Sequence, residues 1–281
     1  MSIKPIKYLS VLLLAIVITT VGLACSGTGA SLSADQVMEN AVAAQADVES
    51  FRLDATLTAS VEDPEAGTTT VSLDADCAVD LEDAEIEAIA DLSLDMTGMN
   101  IAAEIEAYVV DSYAYMMMSL MGQTTWTKQP VPADIWETVE GSQSQLEGLL
   151  GSVDAEVVKE EKVNGVNCYV IEIAPDLGQL QQALMDQPGI GEGLGEMPDL
   201  ESMVEELSFK LWVAKDTYFL SKARINMTLN MADETAGIPA GTVDLSLEIV
   251  AYDYNQAISI ELPPGAESAE EGSSGFELPF F

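Results

Sequence analysis

The stretch that decides the fold is Phe51-Arg52-Leu53-Asp54-Ala55-Thr56-Leu57-Thr58-Ala59-Ser60-Val61. Apolar and polar side chains alternate along it without a slip. Only a β-strand places successive side chains on opposite faces, so it predicts a long strand with one buried and one wet face. Working outward, the alternation returns in Val71, Leu73, Ala75, Cys77 and Val79, then in Ile86 to Met96, then in Met99 to Val109. Asp63-Pro64-Glu65-Ala66-Gly67 and Thr97-Gly98 read as turns between them. Tight turns cannot join parallel strands, so these four strands form an antiparallel meander. Further strands are predicted at 113–119, 124–128, 157–163, 166–173, 208–214, 218–231, 242–251 and 257–262. Asn164-Gly165 is a strong hairpin signal between two of them.

Helical signals are fewer. Ser33-Ala34-Asp35-Gln36 reads as a capping box, opening a helix to about Glu49 with Val37, Ala41, Ala44 and Val48 on one face. Weaker helical spacing runs through 132–151, 176–186 and 199–206. The expectation is a mainly β (α+β) domain over residues 34–264. Its core is a single, strongly curved antiparallel sheet, a half-barrel of about ten or eleven strands closed by a few helices.

The composition fits a two-faced sheet. The chain has 281 residues, 48 acids, 10 bases and no histidine, for a net charge of -38, yet 48% of its residues are hydrophobic. A disordered acidic chain would lack that apolar content. So anionic a surface repels phosphate backbones and excludes nucleic acid. Without histidine there is no Ser-His-Asp or Cys-His catalysis and no His-ligated zinc. No catalytic residue, metal site or cofactor emerges, and the expectation is that the protein is not an enzyme.

The N-terminus indicates where the protein works. Lys4 and Lys7 precede an apolar run from Leu9 to Val21, followed by Gly22-Leu23-Ala24-Cys25. This is the layout of a secretory signal. The small residue before cysteine resembles a bacterial lipobox, with cleavage after residue 24 and acylation of Cys25. Residues 25–33, rich in Gly and Ser, would be the tether. Loss of residues 1–24 leaves eight bases against 48 acids, a net charge of -40. Such a protein is held to a membrane by its acyl chains, not by charge. The expected place is the extracytoplasmic side of the cell membrane or the cell surface.

Other features are read against blander alternatives. Cys77 and Cys168 could form a disulfide in an oxidising compartment, or stay as two buried thiols. Asp74, Asp76, Asp80, Glu82, Asp83, Glu85 and Glu87 crowd one hairpin. Clustered carboxylates can bind calcium, but the EF-hand spacing is absent and a solvated acidic face is the simpler account. The glycine run at 189–195 lacks the Lys-Ser/Thr ending of a phosphate loop and reads as a linker or lid. Asn226-Met227-Thr228 is a formal glycosylation sequon. Residues 265–281 read as a disordered acidic tail, though Phe276, Phe280 and Phe281 could dock on a partner or on the protein's own groove.

Several stretches together resemble the bacterial lipoproteins of the LolA/LppX-like group. They are Val48-Glu49-Ser50-Phe51-Arg52, Val163 to Ile171 around the Asn-Gly turn, Leu211-Trp212-Val213-Ala214-Lys215-Asp216-Thr217-Tyr218 with Trp212 read as exposed, and the ending Ile258-Ser259-Ile260-Glu261-Leu262-Pro263. The resemblance covers about residues 34 to 265. It implies a curved half-barrel closed by helices, with a hydrophobic ligand such as a lipid or acyl chain held in its apolar hollow. The side chains expected to line that hollow are Leu94, Met96, Ile101, Ile105, Met116, Met118, Met227 and Leu229. Methionine suits variable acyl chains because it is flexible and polarisable. The competing expectation is a tethered interaction or structural module with a filled core, with or without calcium.

Overall fold

The computed structural model describes residues 32–63, 67–131, 154–178, 181, 200–231 and 240–271. The chain opens with helix α1 (Ala34–Gln45) and continues into strands β1 (Ser50–Asp63), β2 (Gly67–Asp80), β3 (Glu85–Met96), β4 (Met99–Val110), β5 (Tyr113–Leu120) and β6 (Gln123–Pro130). After residue 153 come β7 (Asp154–Val163), β8 (Val166–Ala174), the one-turn helix α2 (Leu200–Met203), β9 (Val204–Ala214), β10 (Leu220–Met231) and β11 (Gly241–Tyr252). A short 3-10 helix (Pro264–Ser268) and a two-residue strand β12 (Glu270–Glu271) follow.

All strands join one sheet in the order β12-β6-β5-β4-β3-β2-β1-β11-β10-β9-β8-β7. Every pairing from β6 to β7 is antiparallel, and β12 lies parallel to β6. This is the expected half-barrel: β6 and β7 do not meet, so the sheet stays open. The hairpin turns follow their residues. Asn164 and Gly165 both take positive φ, 48° and 88°, as a two-residue turn with the twist of its strands requires.

Alternation holds across the whole sheet. Leu57 of β1 faces Leu247 of β11 and Leu73 of β2, and Ile225 of β10 faces both Leu247 and Phe209 of β9. These side chains share the inner face. On it, Leu57 and Leu247 are 2% exposed and Ile171 is fully buried. Each such side chain taken out of water contributes roughly 1.5–3 kcal/mol. α1 packs here through Ala34 and Val37, with Met38 and Ala41 beside them. Ser33 caps it through the expected capping box: the Gln36 backbone donates to Ser33 Oγ at 3.3 Å, and Ser33 N donates to Gln36 Oε1 at 3.1 Å.

The structure departs from expectation in four places. Residues 257–262 do not form a strand. They run as a strap over the outer face, where Ile258, Ile260 and Leu262 cover Ala78, Tyr108 and Val110. Those residues break the polar pattern of the outer face, and the strap is the reason they can. It is pinned at its start, because Asn255 accepts from Glu49 N at 2.8 Å and donates to the Asp47 carbonyl at 3.0 Å. Second, the order extends past 264: the 3-10 helix packs on β6 and β12 pairs with it. Third, the helix expected at 199–206 is a single turn, and from Val204 the chain is already strand. Fourth, Trp212 is 4% exposed, not exposed. It lies beneath Lys222 and Arg224, whose charged ends stand 5.3 and 5.9 Å from its ring centroid. The long stems of both cations cover the indole.

The expected signal and tether up to residue 31, the helix at 132–151, the glycine run at 189–195 and the tail beyond 271 lie outside the described residues. The helix expected at 176–186 is seen only at Leu177, Gly178 and Gln181.

Candidate functional site: an alanine-floored trough

The inner face has two unlike halves. Beneath α1, the side chains of β7–β11 and β1 form one filled cluster of Leu, Ile and Val, reaching Leu73 and Cys77 of β2. Among the described residues, none from β3 to β6 joins that cluster. α1 packs chiefly on β7 and β9, and α2 on β10.

The register shows what the other half is made of. One row across the sheet reads Ala55, Ala75, Ala90, Ile105, Met118, Thr125. The next reads Leu53, Cys77, Ala88, Ala107, Met116, Thr127. Ala103 faces Leu92 and Leu120 in a third. Small side chains thus meet across three neighbouring strands spaced about 4.8 Å apart. Alanine in place of leucine lowers the surface there. Leu73, Leu92, Ile105, Val79 and Val109 stand around it as taller walls. The result is a shallow apolar trough over β2–β4, bordered on the β5 side by Met116 and Met118.

Six of the eight residues expected to line a hydrophobic hollow meet here. Leu94 faces Ile101 across β3–β4, Ile105 faces Met118 across β4–β5, and Met96 and Met116 share their face. Met227 and Leu229 occupy the same inner face but on β10, four strands from β3, where they face Leu245 and Val243. Met117, between Met116 and Met118, points to the outer face opposite Trp126 and is 4% exposed. The floor itself, Ala75, Cys77, Ala88, Ala90, Ala103 and Ala107, was not anticipated. The signal was present, since the tight turns fix the register and the register lines the small residues up.

Cys77 and Cys168 do not pair; both are free. Cys77 lies in β2 beside the inner-face cluster, whereas Cys168 lies in β8 on the outer face with Val170 and Trp212. Five strand steps separate them, about 24 Å along the sheet. A disulfide needs Cα atoms within about 7 Å. Burial, with Asp76, Asp54 and Glu87 nearby, pushes the Cys77 thiol up to about 12, so it is an apolar floor residue and not a nucleophile.

The outer face opposite the trough is acidic. Asp54 faces Asp76, and Asp91 faces both Asp74 and Glu104. Burial raises the Asp76 carboxyl above the usual aspartate range, helped by its hydrogen bond with Asp54 and by the like charges of Asp54, Asp74 and Asp91. Thr56 donates to Asp74 at 3.0 Å and Tyr252 to Asp54 at 2.7 Å. Asp80 accepts from the backbone of Glu82 and Asp83 and so shapes its own turn. Among the described residues, no group of three or more carboxylates or thiols is arranged to hold a metal ion. A second depression of about 210 Å³ lies over β1, β11 and β10, lined by Thr58, Ser60, Asn226, Thr228, Asp244 and Ser246 among others. Its polar groups bond to each other, Thr228 to Asp244 at 2.7 Å and Ser246 to Asn226 at 2.9 Å.

Comparison with known proteins places the chain. Residues 33–270 match the family of unknown function DUF6612. The chain belongs to that family. No curated protein matches it. Among solved structures it is similar to the lipoprotein LppX of Mycobacterium tuberculosis, with 13% identity, a TM-score of 0.44, and coverage of 80% of this chain and 96% of the other. A DUF1329 family protein of Desulfovibrio piger shares 12% identity at a TM-score of 0.25, with 81% and 95% covered. A LolA superfamily protein of Nitrosomonas europaea shares 8% at 0.22, with 83% and 96% covered. LppX and the LolA superfamily are the group that the short motifs of the sequence resemble. At such identities the likeness concerns the fold and adds nothing about a ligand. Among the described residues, no helix is long and apolar enough to cross a membrane.

Proposed function

We propose that this member of the family is an extracytoplasmic lipoprotein, anchored through Cys25, that binds the acyl chains of a lipid in the trough over β2–β4. The observation that carries this reading is the contrast between the two halves of the inner face. One is filled by its own Leu, Ile and Val side chains, while the other has a floor of alanine between half-buried walls at Leu73, Val79, Leu92 and Ile105, with Val109 and Met116 buried at its border. A protein that only needed a core would gain stability from larger side chains at Ala75, Ala88 and Ala107. An acyl chain laid over the floor leaves water at about 0.8 kcal/mol per methylene. The head group would stay in solvent. The described side chains of the trough are apolar, which suits binding and release of a hydrophobic ligand, and that is the activity proposed.

The test is native mass spectrometry of gently purified protein, with binding of a fluorescent fatty acid as a second readout. Co-purifying lipid is expected, and Ala88→Phe should lower fatty-acid affinity tenfold or more by filling the floor. Unchanged affinity in that variant, with a folded sheet by circular dichroism, would remove the trough from the reading.

A further inference from the structure

Four of the eight large apolar side chains that the described structure leaves exposed crowd one corner of the sheet: Met99 at 55%, Met118 at 41%, Leu120 at 39% and Met121 at 81%. They belong to the tips of two neighbouring hairpins, β3–β4 and β5–β6. The register Ala103↔Leu120 and Ile105↔Met118 puts Met118 and Leu120 on the inner face, continuous with the trough. Met99, four residues along β4 from Ala103, extends the same face to the tip.

Two further observations concern this corner. Residues 112–133 contain no Asp or Glu, in a chain where about one residue in six is acidic. The nearest acid on the adjoining tip, Asp95, pairs with Asn100 across β3–β4 and takes its hydrogen bond at 2.6 Å. Met121 also sits at a turn position with φ 53°. Asn or Gly suits such a position, and a long side chain there costs backbone strain. The turn gains nothing from a methionine that is also four-fifths exposed, so its placement asks for a partner outside the described fold.

We propose that this corner is where the protein touches a lipid bilayer, with Met121, Leu120 and Met99 entering the interface beside the mouth of the trough. Charge selects the bilayer. A chain this anionic is repelled by anionic head groups, and the β5–β6 hairpin, which carries no acid of its own and has Asp95 and Glu104 on the strands beside its tip, is where that repulsion is weakest. An apolar tip without acids, such as that of β5–β6, can enter the interfacial zone by burying its own surface. A ligand could then pass between bilayer and trough without crossing water. The inference rests on the carrier reading given above.

The experiment uses the mature protein acylated at Cys25, reconstituted on phosphatidylcholine vesicles containing brominated acyl chains. An environment-sensitive dye is attached at Met121→Cys, or at Leu81→Cys on the opposite end of the sheet; Cys77 and Cys168 are too buried to compete. At least twofold stronger quenching and a blue shift are expected at 121 relative to 81. Met121→Asn, which relaxes the turn, should at least halve quenching of a dye at Met99→Cys. Equal quenching at 121 and 81 would overturn the proposal. So would a spectral shift at 121 that needs no vesicles and grows with protein concentration, since that assigns the corner to a second copy. Insertion at 121 with no lipid ever co-purifying would sink the carrier reading alone. Co-purifying lipid with no insertion would sink only the bilayer contact.

Discussion

Gly265 lies against the indole of Trp126, so close that a Cβ at this position would stand 2.6 Å from Nε1. The contact closes the strap that begins at Asn255 and crosses the outer face. Trp126 also lies tilted against Tyr108, with centroids 6.2 Å apart, under Ile260. An indole so placed cannot yield as the end of a flexible chain can. Gly265→Ala should therefore cost about 1–3 kcal/mol, the usual range for overpacking. A lowered urea midpoint with an unchanged slope is the expected result. Full stability in the variant would mean that the strap is not held at Trp126.

The separation of the two cysteines gives a chemical prediction. Cys168 is fully buried, and the Cys77 thiol is raised to about 12, first by burial and then by nearby acids. Both should resist a maleimide at pH 8 in the folded protein, where a free cysteine is substantially ionised. Both should react once the unreduced chain is denatured. Two thiols released by denaturant alone is the expected count for protein acylated at Cys25. None would require a disulfide that this fold cannot accommodate.

The sheet was legible in the sequence wherever one face is buried, because period-two alternation fixes both strand and face. Strands β1 to β4 follow directly from Leu53, Leu73, Leu92 and Ile105. The strap was misread because Ile258, Ile260 and Leu262 also alternate. Alternation marks an extended chain with one apolar side, and does not say whether that side meets a strand edge or lies flat on a face. Trp212 was misread for a different reason. Its neighbours in sequence do not reveal that Lys222 and Arg224, on the next strand of the hairpin, fold over it. The lining of the trough was half legible. Large side chains such as Met116 and Met118 draw notice singly, whereas alanines matter only when Ala75 meets Ala90 and Ala88 meets Ala107 across the strands.

Asp76 should make the fold less stable as pH rises. Its carboxyl is raised in the folded protein, so the folded state holds that proton more tightly than the unfolded chain does. Below the ordinary aspartate range both states are protonated and no penalty exists. As pH climbs through the raised value, Asp76 ionises against Asp54, Asp74 and Asp91 and stability falls. Asp76→Asn should then stabilise the protein at pH 7 by roughly 0.2–0.5 kcal/mol, the low end of a like-charged cross-strand pair because Asp76 is exposed and screened by solvent. The gain should vanish near pH 3. Urea unfolding of both proteins at the two pH values decides it, and a gain that persists at pH 3 would point to packing instead of charge.

Glu248 should behave in the opposite sense on the same face. Burial alone would raise its carboxyl, but hydrogen bonds from Lys222 and Arg224 outweigh burial and hold it below the usual glutamate range. Lys222 reaches Oε1 at 2.7 Å, and Arg224 binds Oε2 through both Nε and Nη2. A lowered carboxyl stabilises the folded state above the ordinary glutamate range, and that contribution is lost as pH falls through the depressed value. Glu248→Gln leaves two cations over the Trp212 ring with no carboxylate between them, the Lys222 side chain being only 16% exposed. The expected cost at pH 7 is about 1–2 kcal/mol, discounted from a fully buried charged hydrogen bond because Glu248 is about a third exposed. The difference between the two proteins should close toward pH 3, so that Asp76→Asn and Glu248→Gln converge on the parent from opposite sides. If Glu248→Gln is as stable as the parent at pH 7, the cover over Trp212 is held by the lysine and arginine stems alone.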